Sequence, residues 1–353
     1  MRARDRRRSV ERGKPVTRRF IAAGAVALAL GLPARALAST PEQYGSLSVH
    51  KTTVQIPVPF DPSGPEGIFP YVNANVYVPA ARGPWPLVQF SHAWPGTLRE
   101  FPLSGWAERL ASRGFVVIVS DRRGASDVPV WPQLDQPSDV FDLSASVNSE
   151  DILRVLRWAI AESAVPSSFL HGEVDPHRVA IAGHSLGGYL ATFAAVRTQS
   201  EGPQLSALVL LDPSDERLGE LTYESSLAVA PAVHIPTIDL ASEENQHPIQ
   251  CNMADGSDCT LVAPQEYLAL TGASALLGLK VVGSVHEDVE DPKTTSNSPV
   301  YLQMFERYGM AWLEFWLAHE CAVARYLGGS AALADQRAGR IALFPGGTPA
   351  PDC

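Results

Sequence analysis

The segment Gly183-His184-Ser185-Leu186-Gly187-Gly188 places a serine between closely spaced glycines, after the apolar run Val179–Ala182 and ahead of a helical pattern. A serine hydroxyl is a weak nucleophile, so this spacing supports chemistry only where a sharp strand-to-helix turn thrusts the side chain out at the carboxyl end of the strand. Gly183 and Gly187 allow such a turn. The amide of Leu186, at the helix N-terminus, would then face a developing oxyanion. A glycine-rich turn without chemistry is the plainer alternative.

A nucleophilic serine needs a base to take its proton and a carboxylate to orient that base. The histidines after Ser185 are His234, His247, His286 and His319. His234 begins a strand pattern, His247 precedes Pro248 in a polar stretch, and His319 falls within a long helical pattern. His286 follows Leu279–Val282 and Gly283-Ser284-Val285, just past the last strand, where a loop can bring it over the serine. Two places compete for the acid. Asp212 ends the apolar run Ala207–Leu211, the next strand after the serine. A carboxylate has no reason to close a buried run without a partner, although a strand-ending turn before Pro213 is the ordinary reading. The rival is Ser242-Glu243-Glu244-Asn245 after the following strand.

These residues need a scaffold of alternating elements. Strands are expected at 49–58, 73–79, 86–91, 115–121, 178–183, 206–212, 234–241 and 279–284, and helices at 103–113, 149–164, 186–198, 264–277 and 299–326. Alternation of this kind predicts one α/β domain, a mostly parallel eight-stranded sheet with helices on both faces. The domain is expected to run over 39–338, followed by a Gly/Pro-rich tail at 339–353. Loops 94–106, 124–147 and 213–233 are expected to wall the pocket, and so to set acyl length and leaving group.

Phe90-Ser91-His92, Gly183–Gly188, Leu211-Asp212, Ser242-Glu243 and Gly283-Ser284-Val285-His286 together resemble the plasma and type II platelet-activating factor acetylhydrolases, over roughly residues 48–326. The resemblance implies an α/β-hydrolase fold, with Ser185 as nucleophile, His286 as base in a Gly-Ser-x-His stretch, and Asp212 as the acid after the strand beside the serine. Only the placement of Asp212 and the Gly-Ser-Val-His stretch point to this branch of the superfamily. The family's oxyanion loop usually reads His-Gly-x-Gly, whereas this chain has His92-Ala93-Trp94-Pro95-Gly96. Pro95 carries no N–H, which leaves Trp94 N–H as the donor beside Leu186 N–H. Trp94 can equally line a pocket or pack on the helix near Leu103. Asp121-Arg122-Arg123-Gly124 resembles the equivalent turn of such hydrolases, its arginines read as structural ion pairs.

Of 353 residues, 45% are hydrophobic and 19% charged, a globular composition. The net charge of −10 hides an asymmetry. Ten of the 28 Lys and Arg, but two of the 38 acids, fall within residues 1–38, which leaves the remainder at −18. So acidic a body is a poor partner for nucleic acid or anionic membrane. Residues 1–38 read as an export signal: a basic start, the 13-residue apolar run Phe20–Leu32, and Ala36-Leu37-Ala38 as a cleavage site. Thr17-Arg18-Arg19-Phe20-Ile21 resembles a twin-arginine motif, and an ordinary secretory signal is the alternative. The run is short of the ~20 residues of a spanning helix, so no stable membrane anchor is expected.

Export makes disulfides possible for the four cysteines. Cys251 and Cys259 bracket a polar loop, and Cys353 ends the tail, so the expected pairs are Cys251 with Cys259 and Cys321 with Cys353. No metal or organic cofactor is expected, and the substrate is a small-molecule or lipid ester. A cutin-type, polyester or triglyceride hydrolase uses the same machinery. A catalytically silent binding protein of this fold is the alternative outside enzymes.

Overall fold

A computed structural model of the chain describes residues 40–58, 70–93, 103–121, 148–215, 225–244, 260–261, 264–291 and 298–344. Among them the strands are β1 (Val49–Pro57), β2 (Tyr71–Pro79), β3 (Trp85–Ser91), β4 (Val116–Ser120), β5 (Val174–His184), β6 (Leu205–Leu211), β7 (Ser214–Asp215), β8 (Thr237–Ser242), β9 (Thr260–Leu261), β10 (Leu276–Val281) and β11 (Ile341–Leu343). The longer helices are α1 (Ser104–Ser112), α2 (Ser149–Ser163), α3 (Leu186–Glu201), α4 (Pro264–Leu270), α5 (Pro299–Ala318) and α6 (Ser330–Arg337).

Nine strands form one sheet in the order β1-β2-β4-β3-β5-β6-β8-β10-β11, and β7 pairs with β9. From β4 to β10 every neighbour is parallel, while β1, β2 and β11 join antiparallel at the edges. This is the α/β-hydrolase fold, with one strand more than the eight expected. The addition is β11, from the stretch expected to be tail: Ile341 pairs with Val281 and is buried.

Side-chain alternation explains the two layers. Val179 and Ile181 face α2 and α3, packing with Leu153, Leu156, Tyr189 and Leu190. Ala180 and Ala182 face the other way, where their small size admits the bulk of Trp106 on α1 and Phe305, Tyr308 and Trp312 on α5. The strands expected over 178–183, 234–241 and 279–284 run over Val174–His184, Thr237–Ser242 and Leu276–Val281, and two expected helices end early for physical reasons. The helix expected over 264–277 ends at Leu270. A Cβ on Gly272 would strike the Pro231 carbonyl, and the Ala-Leu run that follows is pulled into the sheet as β10. The helix expected over 299–326 ends at Ala318, where His319 takes a left-handed conformation (φ 55°) and a 3₁₀ turn, Cys321–Tyr326, follows. Among the described residues no helix is long and apolar enough to cross a membrane.

Candidate active site

The parallel register aligns the carboxyl ends of the central strands: Ser91 opposite Gly183, His184 opposite Leu211, Leu211 opposite Leu240, Ser242 opposite Val281. Every segment that follows these ends therefore opens on the same edge of the sheet, the usual place for a site in an open parallel sheet.

Ser185 sits in the break between β5 and α3 with φ 54° and ψ −121°, a conformation that costs a non-glycine residue energy. The surroundings hold it there. Ser185 N–H donates to Leu211 O (3.0 Å), and its carbonyl accepts from Gly188, Tyr189 and Ser214 amides (2.9, 3.1 and 3.2 Å). The glycines are required by close approach. A Cβ on Gly183 would strike the Gly187 carbonyl, and one on Gly187 would strike the carbonyls of Ser91 and His92. Leu186 opens α3, and the first amides of a helix have no partner within it, which suits Leu186 N–H to an anionic oxygen.

Asp212 follows β6, fully buried and with φ 45°. Its Oδ1 accepts from Ser242 N–H (2.9 Å), and its Oδ2 accepts from Ser242 Oγ (2.6 Å) and His286 Nδ1 (2.8 Å). Burial pushes the carboxyl up, but the bond and charge of His286 and the two Ser242 donors outweigh it, and the group lies below the ordinary 3.8. Burial likewise pushes His286 down. The bond and charge of Asp212 outweigh that, helped by Glu287 and Glu290, so the imidazole holds its proton above the ordinary 6.5.

The rival acids take another position. Glu243 Oε2 accepts from Gly283 N–H (2.7 Å) and Glu244 Oε2 from His286 N–H (3.1 Å). They fasten the backbone of the segment that carries His286, while its ring turns to Asp212. His234 is exposed and lies 3.3 Å from Gly272 O, and exposed His319 caps α5. His247 lies outside the described residues.

Four neighbours of this group were not singled out by function in the sequence. Ser242 orders Asp212. His184 packs against His286 with ring centroids 4.6 Å apart and planes tilted by 42°, and contacts Glu290. His92, buried before the segment holding Trp94, donates from Nδ1 to Ala93 O (2.8 Å) and places Nε2 3.1 Å from Asp121 Oδ1. His184 and His92 stand within recognisable motifs and so were findable. Glu290, one of several acids after His286, was not.

Trp94 lies outside the described residues, as do most of the expected pocket-wall loops, residues 1–38, Cys251, Cys259 and Cys353. Cys321 is disulfide-bonded, and its partner is not among the described residues.

Comparison with known proteins agrees with the fold. A family described as alpha/beta hydrolase fold matches residues 144–265, the stretch that carries β5, Ser185, α3, β6 and Asp212. Similar proteins include Cutinase cut1 of Thermobifida fusca, 29% identical over 204 residues, covering 55% of each chain. Cutinase 1 of Thermobifida cellulosilytica is 30% identical over 141 residues, covering 40% of this chain and 44% of its own. Cutinase est1 of Thermobifida alba is 27% identical over 141 residues, covering 40% and 39%. The chain spans about half the length, or less, of the curated relatives it matches.

Proposed function

We propose that this chain is an exported carboxylic ester hydrolase that works through an acyl-enzyme on Ser185. Ser185 Oγ attacks the ester carbonyl while His286 takes its proton, and the amides of Leu186 and Trp94 receive the oxyanion. Collapse of the tetrahedral intermediate breaks the bond to the leaving alcohol, which His286 protonates. Water, deprotonated by His286, then attacks the acyl-enzyme, and Ser185 recovers its proton as the acid leaves. Asp212 holds the imidazole in the tautomer with Nδ1–H and stabilises the imidazolium.

The observation that carries this reading is the pairing of a strained serine turn with a buried Asp212 bonded to half-buried His286 on the same sheet edge. The two acids that competed with Asp212 are engaged with backbone amides, which supports Asp212 in the role.

Two substrate readings stand within this class. The acetylhydrolase resemblance favours short-chain or phospholipid-like acyl esters and rests on Asp212 and Gly-Ser-Val-His286. The cutinases among the relatives favour a cutin-type or polyester substrate. Turnover of p-nitrophenyl esters of graded chain length, beside an oxidised phospholipid and a polyester film, tests both, with Ser185→Ala as control. The proposal expects ester turnover that disappears in the control. Absence of turnover on every substrate would favour a silent binding protein.

A further inference from the structure

We propose that His184 and Glu290 form a proton-sharing pair that positions His286 from behind its backbone, an inference that rests on the esterase reading for its catalytic consequence. His184 is buried, as is Glu290. Its Nε2 lies 3.1 Å from the backbone carbonyl of His286 and its Nδ1 lies 3.2 Å from Glu290 Oε1.

Proton accounting follows from these two contacts. A carbonyl oxygen only accepts, so Nε2 carries a hydrogen. At Nδ1 a second acceptor, a carboxyl oxygen, faces the ring. With no proton between them two lone pairs would oppose each other out of contact with water, a costly arrangement. One proton therefore sits on the Nδ1 to Oε1 line, held either as imidazolium beside carboxylate or as imidazole beside carboxylic acid. In both forms the pair is neutral, and in both His184 presents Nε2–H to His286.

Asp212 holds the ring of His286 and Glu244 its backbone N–H, and His184 adds contacts to its carbonyl and to its ring. His184 touches His286 twice, at the carbonyl by hydrogen bond and at the ring by a tilted packing contact. It is also the residue immediately before Ser185, at the end of β5. His184 thus links the nucleophile's strand end to the base, alongside the hold of Asp212 on the ring and of Glu244 on the backbone, and Glu290 restrains its rotation. Neither residue touches the reacting atoms in the mechanism above, so both are positioning residues.

The test uses the whole chain in three variants beside wild type, with p-nitrophenyl butyrate as substrate. Glu290→Gln can donate an amide N–H to Nδ1, which preserves the Nε2–H tautomer. It should retain kcat within about threefold, whereas Glu290→Leu strands Nδ1 and should lower kcat about tenfold or more with KM within about twofold. His184→Phe keeps a ring to pack on His286 but loses the donor to His286 O, and should lower kcat by a similar factor. Wild-type kcat in Glu290→Leu, or equal losses in both Glu290 variants, would overturn the proposal. Should the leucine variant not fold, ¹⁵N-histidine spectra of wild type decide. His184 is expected to be protonated at Nε2, and an unprotonated Nε2 refutes the pair. That readout needs no turnover, so it separates failure of this inference from failure of the esterase reading.

Discussion

His286 Nδ1 lies 2.8 Å from Asp212 Oδ2, joining residues 74 positions apart at the ends of two strands of one sheet. Asp212 is wholly buried and accepts two further hydrogen bonds from Ser242, so the contact is between a fixed carboxylate and an imidazole with little freedom to turn. Loss of the charge at such a position costs about four powers of ten in turnover in a comparable serine hydrolase. Asp212→Asn is therefore expected to reduce kcat by a factor of that order near neutral pH. Glu243→Gln and Glu244→Gln keep an oxygen to accept from Gly283 and His286 amides, and each should stay within about tenfold, a ~1.4 kcal/mol allowance. Steady-state kinetics of the three variants checks this. A tolerated Asp212→Asn with a crippling glutamate change would move the acid to the loop after β8.

The pH dependence follows from the direction of the His286 shift. The base acts only when neutral, and its raised pKa means that the proton is lost above pH 6.5. Asp212, first among the causes of the rise, and Glu287 face it with negative charge, the His184–Glu290 pair beside its ring is neutral overall, and Glu244 accepts from its backbone. The acid limb of kcat/KM is thus expected to have its midpoint above 6.5, and a pH–rate profile with a midpoint at or below that value contradicts the assignment.

How much of this was visible in the sequence depends on whether a feature is local. The serine turn was legible because its glycines answer clashes between residues four apart, Gly183 and Gly187, that any chain making this turn must avoid. The six parallel strands among the eight expected were legible because central parallel strands are buried on both faces and read as apolar runs, while β1 and β2 at the edge were legible by their β-branched content. β11 was not, since Ile341–Leu343 is three residues long and becomes a strand only because β10 offers an open edge. The sequence favoured Asp212 over Glu243 and Glu244 through its place at the end of a buried run, but did not show which group each carboxylate meets. Asp212 reaches the ring of His286 and Glu244 its backbone, a difference that only three-dimensional geometry gives.

Asp239 on β8 offers a stability test. Its side chain is fully buried, both carboxyl oxygens are without a hydrogen-bond partner, and burial together with the charge of Asp212 pushes its pKa well up. The unfolded state releases this proton near the ordinary 3.8 while the folded state retains it, so the folded state binds more protons over that interval and stability falls as pH rises. Asp239→Asn cannot ionise. Relative to wild type its Tm should climb as pH is raised from about 4 toward neutrality, by a few degrees, since ~1 kcal/mol moves a domain of this size by about 2–4 °C. The trend is the readout, because asparagine brings its own pH-independent cost. A difference in Tm that is constant with pH contradicts the account.

The cysteines test compartment and tail together. Cys321 is disulfide-bonded and sits just after α5. Non-reducing peptide mapping of exported protein is expected to join Cys321 to Cys353 and Cys251 to Cys259. Recovery of four free thiols would remove both pairings and the oxidising compartment on which they depend.

The central claim is that Ser185 is the nucleophile, and its most direct test is covalent. Intact protein treated with a fluorophosphonate should gain one adduct, assigned to Ser185 by peptide mass spectrometry, while Ser185→Ala should remain unlabelled, melt like wild type and lose several powers of ten in turnover. An adduct that persists in Ser185→Ala, or that maps to another residue, would contradict the account.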